Sequence, residues 1–445
     1  MITTSPLKKY LLELVIIGLL FVDLFTKSIP IFPLVFCIIV IQFIRLDFVS
    51  NIVLSILFIP KIIGSLMNSI GVDRIGGYFT IFGLLLIVFG LFFKKICFLN
   101  YKYGLISLIF LLFLFFLSTI STTGGDYAMI KLFSTTVRGV IAFVAFIVLF
   151  SNINKVNTNL LGIYLILYSF LLLTLSVDVN QILGPTVLFD FGFMRNQFLE
   201  AFSSDLIDTS IISYHLPGYC ALQGLSIFLF RKSGIKDSKY LFVLLLVLSL
   251  LVILYTGARQ TFVVLFALLL IWSFVNYKSK LKSFFISLMV LLIVYFLYTS
   301  NEVIFDLFSE TVSGGYIEGG GRGVWLLRGI ELFLANPYFG VGFGRFSIFG
   351  VYGTYPHNII IELLCEIGLF AFLIILTIII FFIFKFKNGR NSQYNYIYLL
   401  FVYLLSSMVS YGLETNIILF SFIFALPALK TQNTDINKLI TYMRK

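Results

Sequence analysis

The chain has 445 residues, 60% of them hydrophobic and 11% charged, with a mean hydropathy of +1.07. So little polar material excludes a water-soluble globule and predicts a polytopic membrane protein. The formal net charge of +11 does not call for nucleic acid as a partner, because the basic residues cluster briefly between apolar runs, where they report topology.

A bilayer core of about 30 Å takes roughly 20 helical residues per crossing. The apolar runs are long and do not alternate, so helices are expected and not a barrel. Spans are predicted at about 10–25, 29–44, 51–69, 77–93, 103–120, 136–150, 158–176, 211–230, 240–256, 261–276, 283–299, 359–385, 395–411 and 416–430. The third is interrupted by Pro60 and Lys61. The expected fold is thus an all-α membrane protein of about fourteen transmembrane helices with a large late periplasmic loop.

The run after Lys8 and Lys9 lacks a small-x-small cleavage site and is read as the first helix. Basic residues such as Arg45, Lys94, Lys95, Lys155, Arg231, Lys232, Lys385 and Lys387 fall on the side of the N-terminus, and Lys430, Arg444 and Lys445 follow the last span. Both termini are therefore expected in the cytoplasm. The long connections, about 121–135, 177–210 and 300–358, lie on the opposite side and are acidic on balance. Apart from Arg74 and Lys131 few positive charges occur on that side, so Arg195, Arg259, Arg322, Arg328 and Arg345 stand out against the trend. Residues 1–445 read as a single membrane domain, with 177–210 and 300–358 as extracytoplasmic loops. Cys37, Cys97, Cys220 and Cys365 have no metal-type spacing, so neither a disulfide framework nor a metal site is expected.

Polar chemistry concentrates late in the chain. Thr256-Gly257-Ala258-Arg259 reads as a tight turn between two helices, with Arg259 opening the second. From Gly321-Arg322-Gly323-Val324-Trp325 the apolar spacing suits a helix lying along the interface, ended by Asn336-Pro337; Trp325 is an interfacial anchor or a sugar platform, and Arg328 pairs with Glu331. Gly340-Val341-Gly342-Phe343-Gly344-Arg345 has the glycine content of a phosphate loop without the strand that should precede one. In Tyr355-Pro356-His357-Asn358, Pro356 stops any earlier helix and Asn358 is an N-cap for the long helix that follows. His357, one of two histidines, has an unperturbed pKa suited to proton transfer. The other, His215, in His215-Leu216-Pro217-Gly218-Tyr219, either lines the same cavity or is a hydrogen-bonded structural residue. Glu362 and Glu366, one turn apart inside a span, need a partner, read here as an arginine, or serve as a base. Tyr352 and Tyr355 offer further stacking faces for sugars. Such a set suits an anion at the membrane edge, a lipid diphosphate above all, since guanidinium groups match phosphate oxygens.

The helix-TGAR-helix hairpin, the RGVW segment with NPYFGVGFG downstream, and the PHN element opening a long helix resemble the O-antigen polymerase and O-antigen ligase superfamily over about residues 240–385. His357-Asn358 followed after nine residues by Gly368 nearly reproduces a ligase-type signature, departing from it at Ala371. The resemblance implies a GT-C-like multispanning glycosyltransferase with no nucleotide-sugar donor at the reaction step and no metal or other cofactor. It implies an undecaprenyl-diphosphate-linked oligosaccharide as substrate, and Arg259, Arg322 and His357 as catalytic residues. Trp325, Arg345, Tyr355, Asn358 and His215 are the expected substrate contacts. The function expected is a surface-polysaccharide polymerase of the bacterial inner membrane, its site facing the periplasm, working beside a flippase and a chain-length regulator and embedded in membrane lipid. The alternatives are an O-antigen ligase transferring the glycan to lipid A-core, and a lipid-linked oligosaccharide flippase.

Overall fold

The computed structural model describes residues 9–26, 31–60, 75–120, 126–176, 215–230, 239–276, 285, 288, 322–348, 355–387, 397–409 and 413–429. Among the described residues all regular structure is helical. The α-helices are α1 (Leu11–Thr26), α2 (Ile31–Arg45), α3 (Phe48–Leu57), α4 (Ile75–Phe92), α5 (Tyr101–Ile120), α6 (Asp126–Ser151) and α7 (Thr158–Ser176). They continue with α8 (His215–Phe230), α9 (Lys239–Thr256), α10 (Arg259–Asn276), α11 (Arg322–Ala335), α12 (Ile359–Lys387), α13 (Ile397–Val409) and α14 (Leu413–Ala425).

The expected spans overlap these helices except for 283–299, which lies outside the described residues apart from positions 285 and 288. Among the described residues, 4 helices are long and apolar enough to cross a membrane: α5, α6 from Tyr127, α7 to Leu175, and α12 to Phe384. The protein is a membrane protein, and shorter apolar helical stretches accompany these four, as with the 10 residues of α3. The connecting loop 177–210, residues 300–321 with most of the glycine cluster, Arg195 and Tyr352 also lie outside the described residues.

One expected boundary is wrong. Residues 126–135, read as loop, are the first turns of α6, so Lys131 is helical and 3% exposed. An apolar-run reading starts the span only where the apolar run becomes continuous, and Asp126, Lys131, Ser134 and Thr135 precede that point.

The chain forms two compact units. The first contains α1–α3, α4 to Ile87, α7–α10 and α13 to Val402. Its centre is α7, 89% buried over its apolar window, with α1, α2, α8 and α9 packed around it. Arg45 Nε meets the fully buried Glu13 carboxylate at 2.9 Å, joining α1 to α2. Gln42 Nε2 donates to Asn51 Oδ1 at 2.9 Å, and the Tyr168 hydroxyl donates to Gln42 Oε1. Glu13, Gln42, Asn51 and Tyr168 are buried among helices, where leaving a polar group without a partner is costly, while Arg45 is exposed.

The second unit contains the end of α4, α5, α6, α11, α12, α13 from Tyr403, and α14. Helix α14 lies along α6, where Ser421 Oγ donates to Gly139 O at 2.8 Å and Phe422 meets Phe146 edge-on at 5.3 Å. Helix α12 packs on α11, α14 and α5. Only 22% of its apolar window is buried, which leaves Phe370, Leu373, Ile374, Phe381 and Phe384 exposed as a lipid-facing stripe.

Candidate active site

In the second unit the site is organised by a break in α12. Gly368 has φ 77° and ψ 175°, a conformation open to glycine and closed to side chains bearing a Cβ. The break frees the carbonyls of Cys365 and Glu366 and the N–H groups of Leu369 and Phe370 from helical pairing. The loop after α11 takes them up. Val341 N donates to Cys365 O at 2.8 Å and Gly342 N to Glu366 O at 2.9 Å, while Leu369 N and Phe370 N donate to Pro337 O (2.8 Å) and Tyr338 O (3.4 Å). A Cβ on Gly340 would stand 2.6 Å from the Glu366 carbonyl carbon, so the loop reaches the helix backbone only because that residue is glycine. The glycine-rich loop is thus a plug stitched into a broken helix. The N–H groups of Gly340, Val341, Gly342, Phe343 and Arg345, which a phosphate would need, are already bound to protein.

Beneath the plug sits a buried charge cluster. Lys131 Nζ donates to Glu362 Oε1 at 2.7 Å and to both Glu366 oxygens at 2.8 and 2.9 Å. Both carboxylates are fully buried. The ammonium also lies 5.2 Å from the centre of the Phe343 ring, which stacks on Phe115 at 4.6 Å. Phe343 N donates to Ser118 Oγ, and that hydroxyl donates to Glu366 O. The expected partner of Glu362 and Glu366 was an arginine; it is this lysine, more than two hundred positions away in sequence and visible only once α6 lies beside α12.

At the head of α12, Asn358 is the N-cap as expected. Its Oδ1 accepts from Ile360 N at 3.0 Å and Ile361 N at 3.2 Å, and its Nδ2 donates to Met408 O at 3.2 Å. Its amide therefore belongs to the fold. His357, just before it, has φ 57° and is half-buried. Its ring lies 4.3 Å from that of Tyr355, also half-buried.

Helix α11 runs from Arg322 to Ala335 and stops at Asn336-Pro337 as predicted. Its inner face contributes Leu332, Trp325 and Phe333 to a cluster with Val341, Phe346 and Cys365, and Trp325 meets Phe346 edge-on. Trp325 is therefore packed against the plug. The outer face exposes Val324, Leu327 and Leu334 beside the Arg328–Glu331 pair at 2.8 Å, the pattern of an interfacial helix. A Cβ on Gly329 would meet Ile361 Cγ2 at 2.6 Å and Pro356 Cγ at 3.2 Å, so α11 lies directly against the PHN element. Arg322 is seven residues before Gly329, about 10 Å along the helix axis. Arg345 is half-buried at the end of the plug.

The remaining candidates lie in the first unit. Gly257 has φ 62°, and the TGAR turn closes with Gly257 N donating to Leu254 O and Thr261 N to Ala258 O. His215, at the start of α8, is buried and its Nδ1 is bound to the Gln260 amide, next to Arg259 in sequence. The hydrogen-bonded alternative describes His215, and the HLPGY and TGAR elements meet. The side chains of Arg259 and Arg322 lie outside the described residues.

Residues 244–376 match the family model for O-antigen ligase. The matched stretch contains TGAR, RGVW, the plug and PHN, and it ends past the break in α12. The resemblance to the O-antigen polymerase and ligase superfamily thus holds over that stretch. Members of this family are glycosyltransferase-like enzymes acting on lipid-linked glycans. No individual curated protein matches the chain. Lys131, which pairs with Glu362 and Glu366 of the matched stretch, lies outside that stretch, on α6.

Proposed function

We propose that the protein is a polysaccharide polymerase that transfers a growing glycan from undecaprenyl diphosphate to the terminal hydroxyl of a lipid-linked repeat unit. The observation that carries this reading is the O-antigen ligase match over residues 244–376, combined with the packing of the RGVW helix against the PHN head of α12. In the reaction the acceptor oxygen attacks the anomeric carbon of the donor sugar. The bond to the lipid diphosphate breaks, and the acceptor's proton is taken up. His357 orients that hydroxyl and accepts its proton. Arg322 neutralises the departing diphosphate. Tyr355, with its ring on His357, provides a sugar platform beside the base. Asn358 serves by fixing the helix head, and Arg345 is a further anion contact at the plug.

The site faces the periplasmic side of the inner membrane, where flipped lipid-linked repeat units arrive. The description of the matching family favours a second reading, transfer of the same donor to lipid A-core.

The test uses purified protein, a defined undecaprenyl-diphosphate repeat unit, a chelator and no nucleotide, with products resolved on gels. A ladder that is lost in folded Arg322→Ala and His357→Ala variants supports the polymerase. Product only after addition of lipid A-core selects the ligase. No product with either acceptor, together with movement of the lipid-linked unit across vesicles, refutes both in favour of a flippase.

A further inference from the structure

We infer that Lys131 is a positioning residue for His357, acting through Glu362 on the first turn of α12. This rests on the reading of His357 given above.

His357 holds a left-handed backbone, φ 57°, which a residue bearing a Cβ keeps only when its surroundings over-determine it. The structure supplies restraints on three sides. Pro356 abuts Gly329 of α11, and Asn358 caps the helix while its Nδ2 donates to Met408 O. Glu362, in the first turn with its N–H on Asn358 O at 2.9 Å, is gripped by Lys131 from α6 at 2.7 Å. The same ammonium grips Glu366 and faces the Phe343 ring, so one charge ties the helix head, the broken helix and the plug to α6. A lysine and two glutamates buried at 3%, 0% and 0% exposure are a costly way to hold two helices together. Apolar residues of the same size would pack as well or better. What ionic contacts add is directional placement, and here the group placed is the turn that follows His357.

The experiment uses the full chain in nanodiscs. Glu362→Met removes both acceptor oxygens of the arm to the first turn and leaves Lys131 paired with Glu366. The triple variant Lys131→Met/Glu362→Gln/Glu366→Gln removes every charge while keeping side-chain length. Carbethoxylation of His357 by diethyl pyrocarbonate is followed by peptide mass analysis, which separates it from His215. Turnover is measured on the lipid-linked repeat unit, and thermal midpoints are recorded in parallel.

Both variants are expected to retain the wild-type midpoint and to carbethoxylate His357 about fivefold faster, the effect of a modest local release. Their kcat is expected to fall about 100-fold with the donor KM unchanged, as for a misplaced catalytic group. Wild-type His357 reactivity and wild-type kcat in a folded variant would overturn the inference and leave the cluster a mere counter-ion set. If the triple variant does not fold, the milder Glu362→Met decides by the same criteria. If the wild-type protein turns over no lipid-linked glycan, the proposed function falls, and His357 reactivity alone then decides whether Lys131 places it.

Discussion

Replacing Gly368 by alanine puts a methyl group where the backbone of the plug already stands. The new Cβ would lie 2.3 Å from Tyr338 O and 2.5 Å from Phe339 N, and neither is the yielding end of a side chain. The backbone angle, φ 77°, adds strain of about 1–3 kcal/mol for a residue other than glycine. The clash is relieved by lifting the plug from the helix, which breaks the bonds Val341–Cys365, Gly342–Glu366, Leu369–Pro337 and Phe370–Tyr338, at about 1 kcal/mol net apiece. Strain and lost bonds together amount to about 5–7 kcal/mol, comparable with the whole stability of many domains. Because the plug can detach without unmaking the helix packing of the unit, local opening is the expected response. Cys365 reports it: the thiol is fully buried under Leu332, Val341 and Phe346. In a background with Cys37, Cys97 and Cys220 replaced by serine, maleimide labelling of Cys365 should be fast in Gly368→Ala and slow in the parent. Gly18→Ala is the control, since a Cβ there meets nothing within 4 Å; it should raise the thermal midpoint slightly, by the about 0.5–1 kcal/mol that alanine gains over glycine in a helix. Labelling of Gly368→Ala at the parent rate would refute the stitched plug.

Three further outcomes follow from the same contacts. Lys131→Met alone leaves two buried carboxylates facing each other and should cost about 3–5 kcal/mol; the midpoint should drop and then recover when both glutamates are also made glutamine. Asn358→Ala loses a helix cap worth about 1 kcal/mol, and Asn358→Asp, which keeps the acceptor oxygen, should lose less in a denaturation series. Arg328→Ala removes an ion pair whose members are 42% and 63% exposed, so after solvent screening it should change stability by less than about 1 kcal/mol; a larger fall in the thermal midpoint would show that this face of α11 is covered.

Much of the architecture was legible without coordinates because it depends on local rules. Hydrophobic run length located most of the helices. Gly257 marked the turn between α9 and α10, Pro337 marked the end of α11, and Asn358 declared itself as a cap by its chemistry and place. The misread segment, residues 126–135, failed for a definite reason: Lys131 is tolerable inside a helix only beside Glu362 and Glu366, and no local window contains both sides of that balance. The glycine loop misled in the opposite sense. Its composition resembles an anion cradle, yet its backbone serves the break at Gly368.

Composition determined that this is a membrane protein and the long, non-alternating apolar runs that it is helical, because backbone in lipid must satisfy its own hydrogen bonds and a barrel would need alternation. The motif spacing determined the O-antigen ligase resemblance, because those residue types recur at fixed intervals along one stretch. Tertiary structure decided which polar groups are engaged with one another. Pairing Lys131 with two glutamates, His215 with Gln260, and a loop with a broken helix depends on where helices lie side by side, and that follows from packing across long sequence separations, which no local pattern encodes.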